Sequence, residues 1–530
     1  MSGAAAAGLK GRLSGSTILL TGSSGFLGKA VLSALLEQPE GFRRLLLLLR
    51  ASDAAAARQR LQSEVLGSDA FAALPDASAW AMLDQGRLCA VAGDLEGDHL
   101  DLQAQEGWGD IDTVIHCAAS VSFEAPLDEI LALNAYGPIR LLDSLHAAGA
   151  HPHFVHVSTA YVDDCRQNTI REDGPSHPSL AELDPDAMLE AAQEWRAVAE
   201  EKSLQPAEQK RFAREAQRDA AHRPGMDAAE RAEERRKRWV EQRLARKGRR
   251  YAMEVGWPDT YALTKALGER LLKEHSRQTT IVRPSIIESA LRRPRPGWLE
   301  GIKVADPLIL AYAARGLTHL PGRATNLIDV VPVDHVANVC VAAAAYPPSE
   351  RHRTLAITSG ARNPLTLGDL AGHIKAHFQR EPLMQRDGSP IAIGDLRFVD
   401  RKLALRKTMR REFLARAAAR AGALGVIPMA TEKRLRRNST LAAQVTRMVK
   451  IYGPYTELDC VFDDSNTRAL AERMLPTDRA ELPFDTAAID WEDYLQGTHL
   501  PEIHQMAKQR DHSQPARKER PEPQAAGESR

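Results

Sequence analysis

The feature that most constrains this chain is a glycine-rich turn set directly after a short apolar run. Residues 17–21 (Thr-Ile-Leu-Leu-Thr) read as a buried strand and lead into Thr21-Gly22-Ser23-Ser24-Gly25-Phe26-Leu27-Gly28, after which a helical pattern covers 29–36. Gly22 suits the positive φ of a tight turn, Gly25 lets the backbone approach a pyrophosphate, and Gly28 allows close packing of helix on strand. The free N–H groups of the helix's first turn would then face phosphate oxygens. Thr21, Gly22, Ser24, Gly25, Phe26, Leu27 and Gly28 are therefore the expected phosphate-loop residues. Glycines mark turns of many kinds; the strand before and the helix after make this triplet informative.

Further apolar runs at 45–50, 89–92, 113–117, 154–158, 280–283 and 355–358 alternate with helical stretches. This alternation predicts right-handed crossovers and an α/β fold, a doubly wound parallel sheet of the Rossmann type. The rhythm breaks between 158 and 280, where Glu, Lys, Arg, Ala and Gln dominate; a helical insertion at about 170–250, read as a solvated hairpin, is expected. The predicted organisation is a flexible N-terminus (1–14), a dinucleotide-binding reductase domain (15–368), a smaller, mostly helical C-terminal domain (369–507) and a disordered polar tail (508–530).

A chain of 530 residues is too long for one core. Lys+Arg and Asp+Glu both total 70, so attraction to an anionic partner must be local, and no nucleic-acid partner is expected. The five cysteines are scattered without a CxxC pair, which suits a reducing compartment. With neither a signal-peptide pattern nor an apolar run of membrane-spanning length, a cytoplasmic protein is expected. No HExxH motif or carboxylate cluster suggests a metal. His116 and His156 lie in apolar strands and read as core histidines with satisfied hydrogen bonds. Residues 401–450 hold fourteen Lys or Arg against two Glu, among Leu403, Leu405, Met409 and Phe413 at helical spacing. This segment is expected at the mouth of the site or on an anionic membrane surface, an ordinary solvated helix pair being the alternative.

Arg50 closes the second strand, where an acidic residue would bind the ribose 2′-hydroxyl of NADH. A guanidinium suits a 2′-phosphate instead, so NADPH is favoured; a plain surface strand end is the alternative reading, and Asp53 argues the other way. Asp94 and Leu95 follow the third strand, where a carboxylate can meet the adenine amino group. Ala118 and Ala119 follow the fourth, where small residues let a cofactor lie flat. Tyr261-Ala262-Leu263-Thr264-Lys265 puts a phenol and an ammonium on one helical face. An adjacent ammonium is expected to lower the phenol pKa, and Lys265 can also hold the nicotinamide ribose. Asp259 or Thr260 would cap that helix. Of the hydroxyls ending the fifth strand, Thr159 is taken as catalytic and Ser158 as structural. Asn134 is either a water anchor near Lys265 or an exposed helical residue.

The TGxxGFLG loop, the YxxxK helix and the hydroxyl-bearing strand resemble the extended short-chain dehydrogenase/reductases. Further stretches resemble fatty acyl-CoA reductases: Ala118-Ala119-Ser120-Val121-Ser122-Phe123, His156-Val157-Ser158-Thr159-Ala160-Tyr161-Val162, Trp257-Pro258-Asp259-Thr260-Tyr261, Val282-Arg283-Pro284-Ser285-Ile286-Ile287 and Tyr452-Gly453-Pro454-Tyr455. The similarity spans roughly 15–500 and looks most like the bacterial reductases of wax-ester pathways. It implies NADPH-dependent reduction of long-chain fatty acyl-CoA to the fatty alcohol through a fatty aldehyde. Thr159, Tyr261 and Lys265 would be catalytic, with Pro284 and Ile286 beside the cofactor. An enzyme stopping at the aldehyde and a sterol or sugar-nucleotide dehydrogenase on the same fold are the alternatives. A non-enzymatic redox sensor would need neither Tyr261 nor Lys265.

Overall fold

A computed structural model of the chain describes residues 8–38, 40–72, 76–97, 107–163, 165, 168–174, 177–219, 227–302, 305–385, 387–422 and 429–513. Seven parallel strands form the central sheet: β1 (Thr17–Thr21), β2 (Arg44–Leu49), β3 (Leu88–Ala92), β4 (Ile111–His116), β5 (His153–Val157), β6 (Thr279–Pro284) and β7 (His352–Ile357). Their spatial order is β3-β2-β1-β4-β5-β6-β7. The winding direction reverses between β1 and β4, and the crevice at their carboxyl ends is where such sheets bind ligands.

The apolar runs are continuous because both sheet faces are covered. Ile18, Leu20, Leu45 and Leu47 enter one core, while Leu19, Leu46 and Leu48 enter the other. The helices that position the site are α1 (Phe26–Leu36), α2 (Pro185–Ser203), α3 (Pro206–Asp219), α4 (Ala228–Glu254), α5 (Thr260–His275), α6 (Val333–Ala345), α7 (Arg401–Gly422) and α8 (Met429–Thr456). Val31 and Leu32 of α1 and Val336 and Val339 of α6 build the first core; Leu263 and Leu267 of α5 build the second.

Several boundaries differ from expectation. The insertion is three helices, α2 to α4, and it is docked on the sheet domain. Val240, Leu244, Gly248 and Ala252 form a buried stripe on α4. A Cβ on Gly248 would lie 3.1 Å from Leu127 Cβ and 3.2 Å from Thr260 Cγ2, so α4 presses against the start of α5. Arg196 of α2 adds an ion pair to Asp128. The charged composition hid this stripe because its four residues are diluted among ion-paired ones.

Residues 9–13 are not a loose terminus: Leu9–Leu13 is a helical turn with both leucines buried, and the Leu9 N–H donates to Asp478 Oδ2 at 2.8 Å. The polar tail begins later than 508, because the last helix runs Leu500–Ser513 and keeps Leu500, Ile503 and His504 buried; residues 514–530 lie outside the described residues. The C-terminal part is sewn onto the sheet domain. Val461–Phe462 pairs with Thr169–Ile170, and Arg397–Val399 pairs with His319–Pro321. Among the described residues no helix is long and apolar enough to cross a membrane.

Candidate active site

The glycine turn opens the site. Gly22 has φ +73°, and a Cβ there would meet Ala118 N at 2.6 Å. A Cβ on Gly25 would have only Gly22 O within 4 Å, at 3.3 Å, so a hollow lies in front of it. Gly25 caps α1 without a side-chain hydrogen bond, which leaves the N–H groups of the first turn free for an anion. The loop thus fits a dinucleotide pyrophosphate. Ser24 and Gly25 are exposed at the tip. Thr21 is turned away from it: its Oγ1 lies 3.0 Å from His116 Nδ1 and accepts from Ala118 N at 3.2 Å. Its side chain joins β1 to β4 and is not part of the cavity wall.

Thr159, Tyr261 and Lys265 come together at the carboxyl end of β5, in the wall of a cavity of about 410 Å³. Asp259 caps α5, its Oδ1 accepting from Ala262 N at 3.0 Å. One turn on, the Lys265 ammonium donates to Val157 O at 2.7 Å, and burial lowers its pKa to about 8. The Tyr261 phenol and Thr159 line the same wall. The phenol's pKa is raised, first by burial and then by the Asp259 carboxylate, with the Thr159 hydroxyl opposing. The expected depression by the ammonium does not occur: the helical spacing is right, but burial and the Asp259 carboxylate raise the phenol pKa. A phenol held neutral suits a proton donor. Ser158 lines the same cavity.

Two inner supports hold this face. Arg283 of β6 grips Glu269 of α5, with Nε to Oε1 at 2.9 Å and Nη2 to Oε2 at 2.6 Å, and reaches Asp163 Oδ2 at 2.6 Å. Asn134 is 1% exposed, on a π-turn. It is neither an exposed helical residue nor a free water anchor. Its Oδ1 accepts from Ser120 N at 2.8 Å, and its Nδ2 donates to Ser120 O at 3.0 Å and Thr264 Oγ1 at 3.2 Å. His116 is satisfied at Nδ1, but neither ring nitrogen of His156 has a partner; that ring stacks on His116 at 5.4 Å and stays neutral because it is buried.

Gly22, Gly25, Phe26, Leu27 and Gly28 reach the cavity from one side, and Ala119, Pro284 and Ile286 from the other. Ala118 contributes its backbone N–H to Thr21 instead. Asp94 is half-buried beyond β3, its Oδ1 accepting from Glu96 N at 3.0 Å, and Leu95 is buried in the second core. Arg50 is exposed past β2 and pairs with Glu96 at 3.5 Å. Asp53 is occupied in capping the next helix, accepting from Ala56 N at 2.8 Å.

The wall opposite the sheet is aromatic. Phe123 packs edge-on against Tyr261 (5.7 Å), Tyr452 (5.8 Å) and Tyr455 (5.6 Å), and Tyr161 against Tyr455 (5.1 Å). The Tyr455 hydroxyl donates to Asp259 Oδ2 at 2.5 Å. The carboxyl end of α8 therefore completes the wall of the cavity. Tyr452 and Tyr455 stand in a motif noted for its resemblance, but no local pattern gives them this place.

Comparison with known proteins agrees with the geometry. A family model described as "Male sterility protein" matches residues 20–340, and a second of the same description matches 421–502. Fatty acyl-CoA reductase 2, chloroplastic, of Arabidopsis thaliana is 30% identical over 503 residues, covering 92% of this chain and 78% of that protein. The alcohol-forming fatty acyl-CoA reductase of Simmondsia chinensis is 29% identical over 519 residues, covering 93% and 97%. Among solved structures, the terminal R domain of the myxalamid PKS-NRPS biosynthetic pathway has the same fold, with a TM-score of 0.56 at 17% identity over 93% of this chain and 92% of that one.

Proposed function

The chain belongs to the male sterility family, which gives an oxidoreductase with a nicotinamide-binding fold, and on that premise we propose that it reduces long-chain fatty acyl-CoA to fatty alcohol with NADPH, through the aldehyde. The observation that carries this reading is the Thr159–Tyr261–Lys265 group facing an aromatic-walled pocket that opens onto the glycine turn. A bound reduced nicotinamide supplies the hydride. Thr159 and Tyr261 hydrogen-bond the carbonyl oxygen as negative charge develops on it. The tetrahedral adduct re-forms its C=O bond as the C–S bond breaks, and the sulfur leaves as thiolate, taking up a proton. Tyr261, held neutral, gives its proton to the aldehyde oxygen in the second reduction. Lys265 keeps the end of β5 and α5 in register through Val157.

The experiment is incubation with palmitoyl-CoA and NADPH, followed by product identification. Hexadecanol with two NADPH consumed per acyl chain is expected. Aldehyde accumulating at one NADPH per chain would identify an enzyme that stops at the first step, and absence of NADPH oxidation would overturn the reading.

NADPH preference rests on Arg50, with Arg60 beside it donating to the Arg50 carbonyl. Charge-assisted bonds of this kind contribute about 1.5–3 kcal/mol. Arg50→Asp should therefore shift the ratio of kcat/KM for NADPH over NADH by roughly ten- to a hundredfold toward NADH. An unchanged ratio would remove Arg50 from the cofactor site.

The reading also includes peripheral contact with an anionic lipid surface. Tyr452 and Tyr455 of α8 reach the pocket. Leu435, Asn438 and Leu441, about 20 Å back along that helix, face α7 across a groove rimmed by Lys407 and Arg410. The basic cluster thus stands away from the pocket mouth. Met409 and Phe413 are 51% and 71% exposed beside it. Apolar side chains flanked by cations suit a bilayer carrying anionic headgroups. At about 1 kcal/mol per cation, neutralising Arg406, Lys407 and Arg410 together should weaken binding to phosphatidylglycerol vesicles by roughly a hundredfold. Turnover of a fatty aldehyde in solution should change little. Undiminished vesicle binding would leave this face as solvated surface.

A further inference from the structure

Three metal-ligating side chains meet beside the cavity, two of them in its wall, and none is used by the reductase chemistry. Glu288 ends the short strand Ile286–Glu288, Asp306 opens the helix Asp306–Ala313, and His499 ends the turn Asp493–His499. Their exposures are 3%, 0% and 1%. His499 Nε2 stands 3.6 Å from Glu288 Oε2 and 3.6 Å from Asp306 Oδ1. That is too long for a hydrogen bond. It matches the spacing of neighbouring ligands on a tetrahedral ion with bonds of about 2.0–2.2 Å. The imidazole is oriented from behind, its Nδ1 lying 2.9 Å from Ser289 Oγ, as the outer nitrogen of a metal-bound histidine usually is. Glu288 Oε1 has no hydrogen-bond partner, and among the described residues no lysine or arginine pairs with this carboxylate.

We propose that Glu288, Asp306 and His499 bind one divalent first-row cation, a donor set of one nitrogen and two oxygens that accepts Zn²⁺. The two carboxylates supply the charge that a buried dication requires, and the cation supplies the counter-charge that Glu288 lacks. Glu288 and Asp306 both line the catalytic cavity, so a water or a substrate oxygen entering it can complete the coordination. The ion also pins the start of the last helix, at His499, to the strand that follows β6. The alternative is a proton shared by Glu288 and Asp306, since burial and the Asp306 charge push the Glu288 carboxyl well up. The site stands apart from the acyl-CoA reading and does not depend on it.

The test uses the full chain, purified without a histidine tag or chelator. Metal content by mass spectrometry is followed by chelation and titration with Zn²⁺, and separately with Co²⁺ read by its visible absorption. A second cluster, His377, Glu381 and His504, lies between two C-terminal helices and must be controlled for. About one equivalent of metal per chain is expected in wild type and in His377→Ala, falling at least tenfold in Glu288→Gln and His499→Gln. The Co²⁺ spectrum of the wild type reports the site even where a variant folds poorly. The proposal is overturned if chelated wild type takes up no more Zn²⁺ or Co²⁺ than Glu288→Gln. It is equally overturned if the bound metal disappears in His377→Ala instead.

Discussion

Tyr261→Phe should lower turnover of both acyl-CoA and fatty aldehyde by at least about a thousandfold, the combined effect of losing an oxyanion donor and a general acid. NADPH binding should stay within about twofold, because the hydroxyl is not part of the glycine turn that holds the phosphates. The substitution removes one oxygen and keeps the ring, so the edge contact with Phe123 at 5.7 Å survives. The Lys265 bond to Val157 O does not involve the phenol and should also survive. Single-turnover rates with each substrate, beside NADPH binding by fluorescence, separate these effects. Residual reduction at a tenth of the wild-type rate would remove Tyr261 from the chemistry.

What could be read in the chain is what lies close together along it. Gly22, Gly25 and Gly28 fall in seven residues, and Tyr261 and Lys265 are one helical turn apart, so strand and helix periods were enough to place them. The seven apolar runs became the seven strands of one sheet because a strand covered on both faces has no polar alternation to confuse it. The electrostatics were not legible in the same way. Spacing put an ammonium beside Tyr261, but burial and the Asp259 carboxylate decide the phenol's protonation, and burial is a property of the folded whole. The wall of the pocket was hidden for a similar reason: Tyr455 meets Asp259 across 196 residues of chain. Asn134 misled because its partners, the Ser120 backbone and Thr264, come from a loop and a different helix.

The same wall explains why the C-terminal part cannot be treated as an appendage. Tyr455 donates to the residue that caps α5, and Phe123 bridges Tyr452 to Tyr261 through edge-on contacts. The pocket is therefore complete only when α8 is seated. Asp259 has two tasks, accepting from Ala262 N and from Tyr455, and its charge adds to burial, the larger cause, in raising the phenol pKa.

Gly28→Ala should damage fold and cofactor binding together, whereas Gly25→Ala should separate them. A Cβ on residue 28 would stand 2.0 Å from Gly22 O and 2.5 Å from Gly22 C. Both are backbone atoms, and Gly22 has no room to retreat, since the space beyond its own Cα is filled by Ala118 N at 2.6 Å from an added Cβ. The helix must move instead, but Val31, Leu32 and Leu35 of α1 are fully buried against the sheet. Overpacking of this kind destabilises by about 1–3 kcal/mol or more, and a displaced turn no longer aims its N–H groups at the phosphates. A fall in melting temperature of several degrees and a loss of NADPH affinity of at least about a hundredfold, near 2.7 kcal/mol, are expected. A Cβ on residue 25 meets only Gly22 O, at 3.3 Å, and projects into the hollow in front of the loop. Gly25→Ala should therefore melt within a degree or two of wild type yet bind NADPH about tenfold or more weakly, because the methyl group stands where the pyrophosphate would lie. Thermal unfolding by circular dichroism and NADPH titration of both variants decide the matter. Wild-type melting and binding in Gly28→Ala would show that the helix is not wedged against the turn, and undiminished binding in Gly25→Ala would show that the dinucleotide does not lie there.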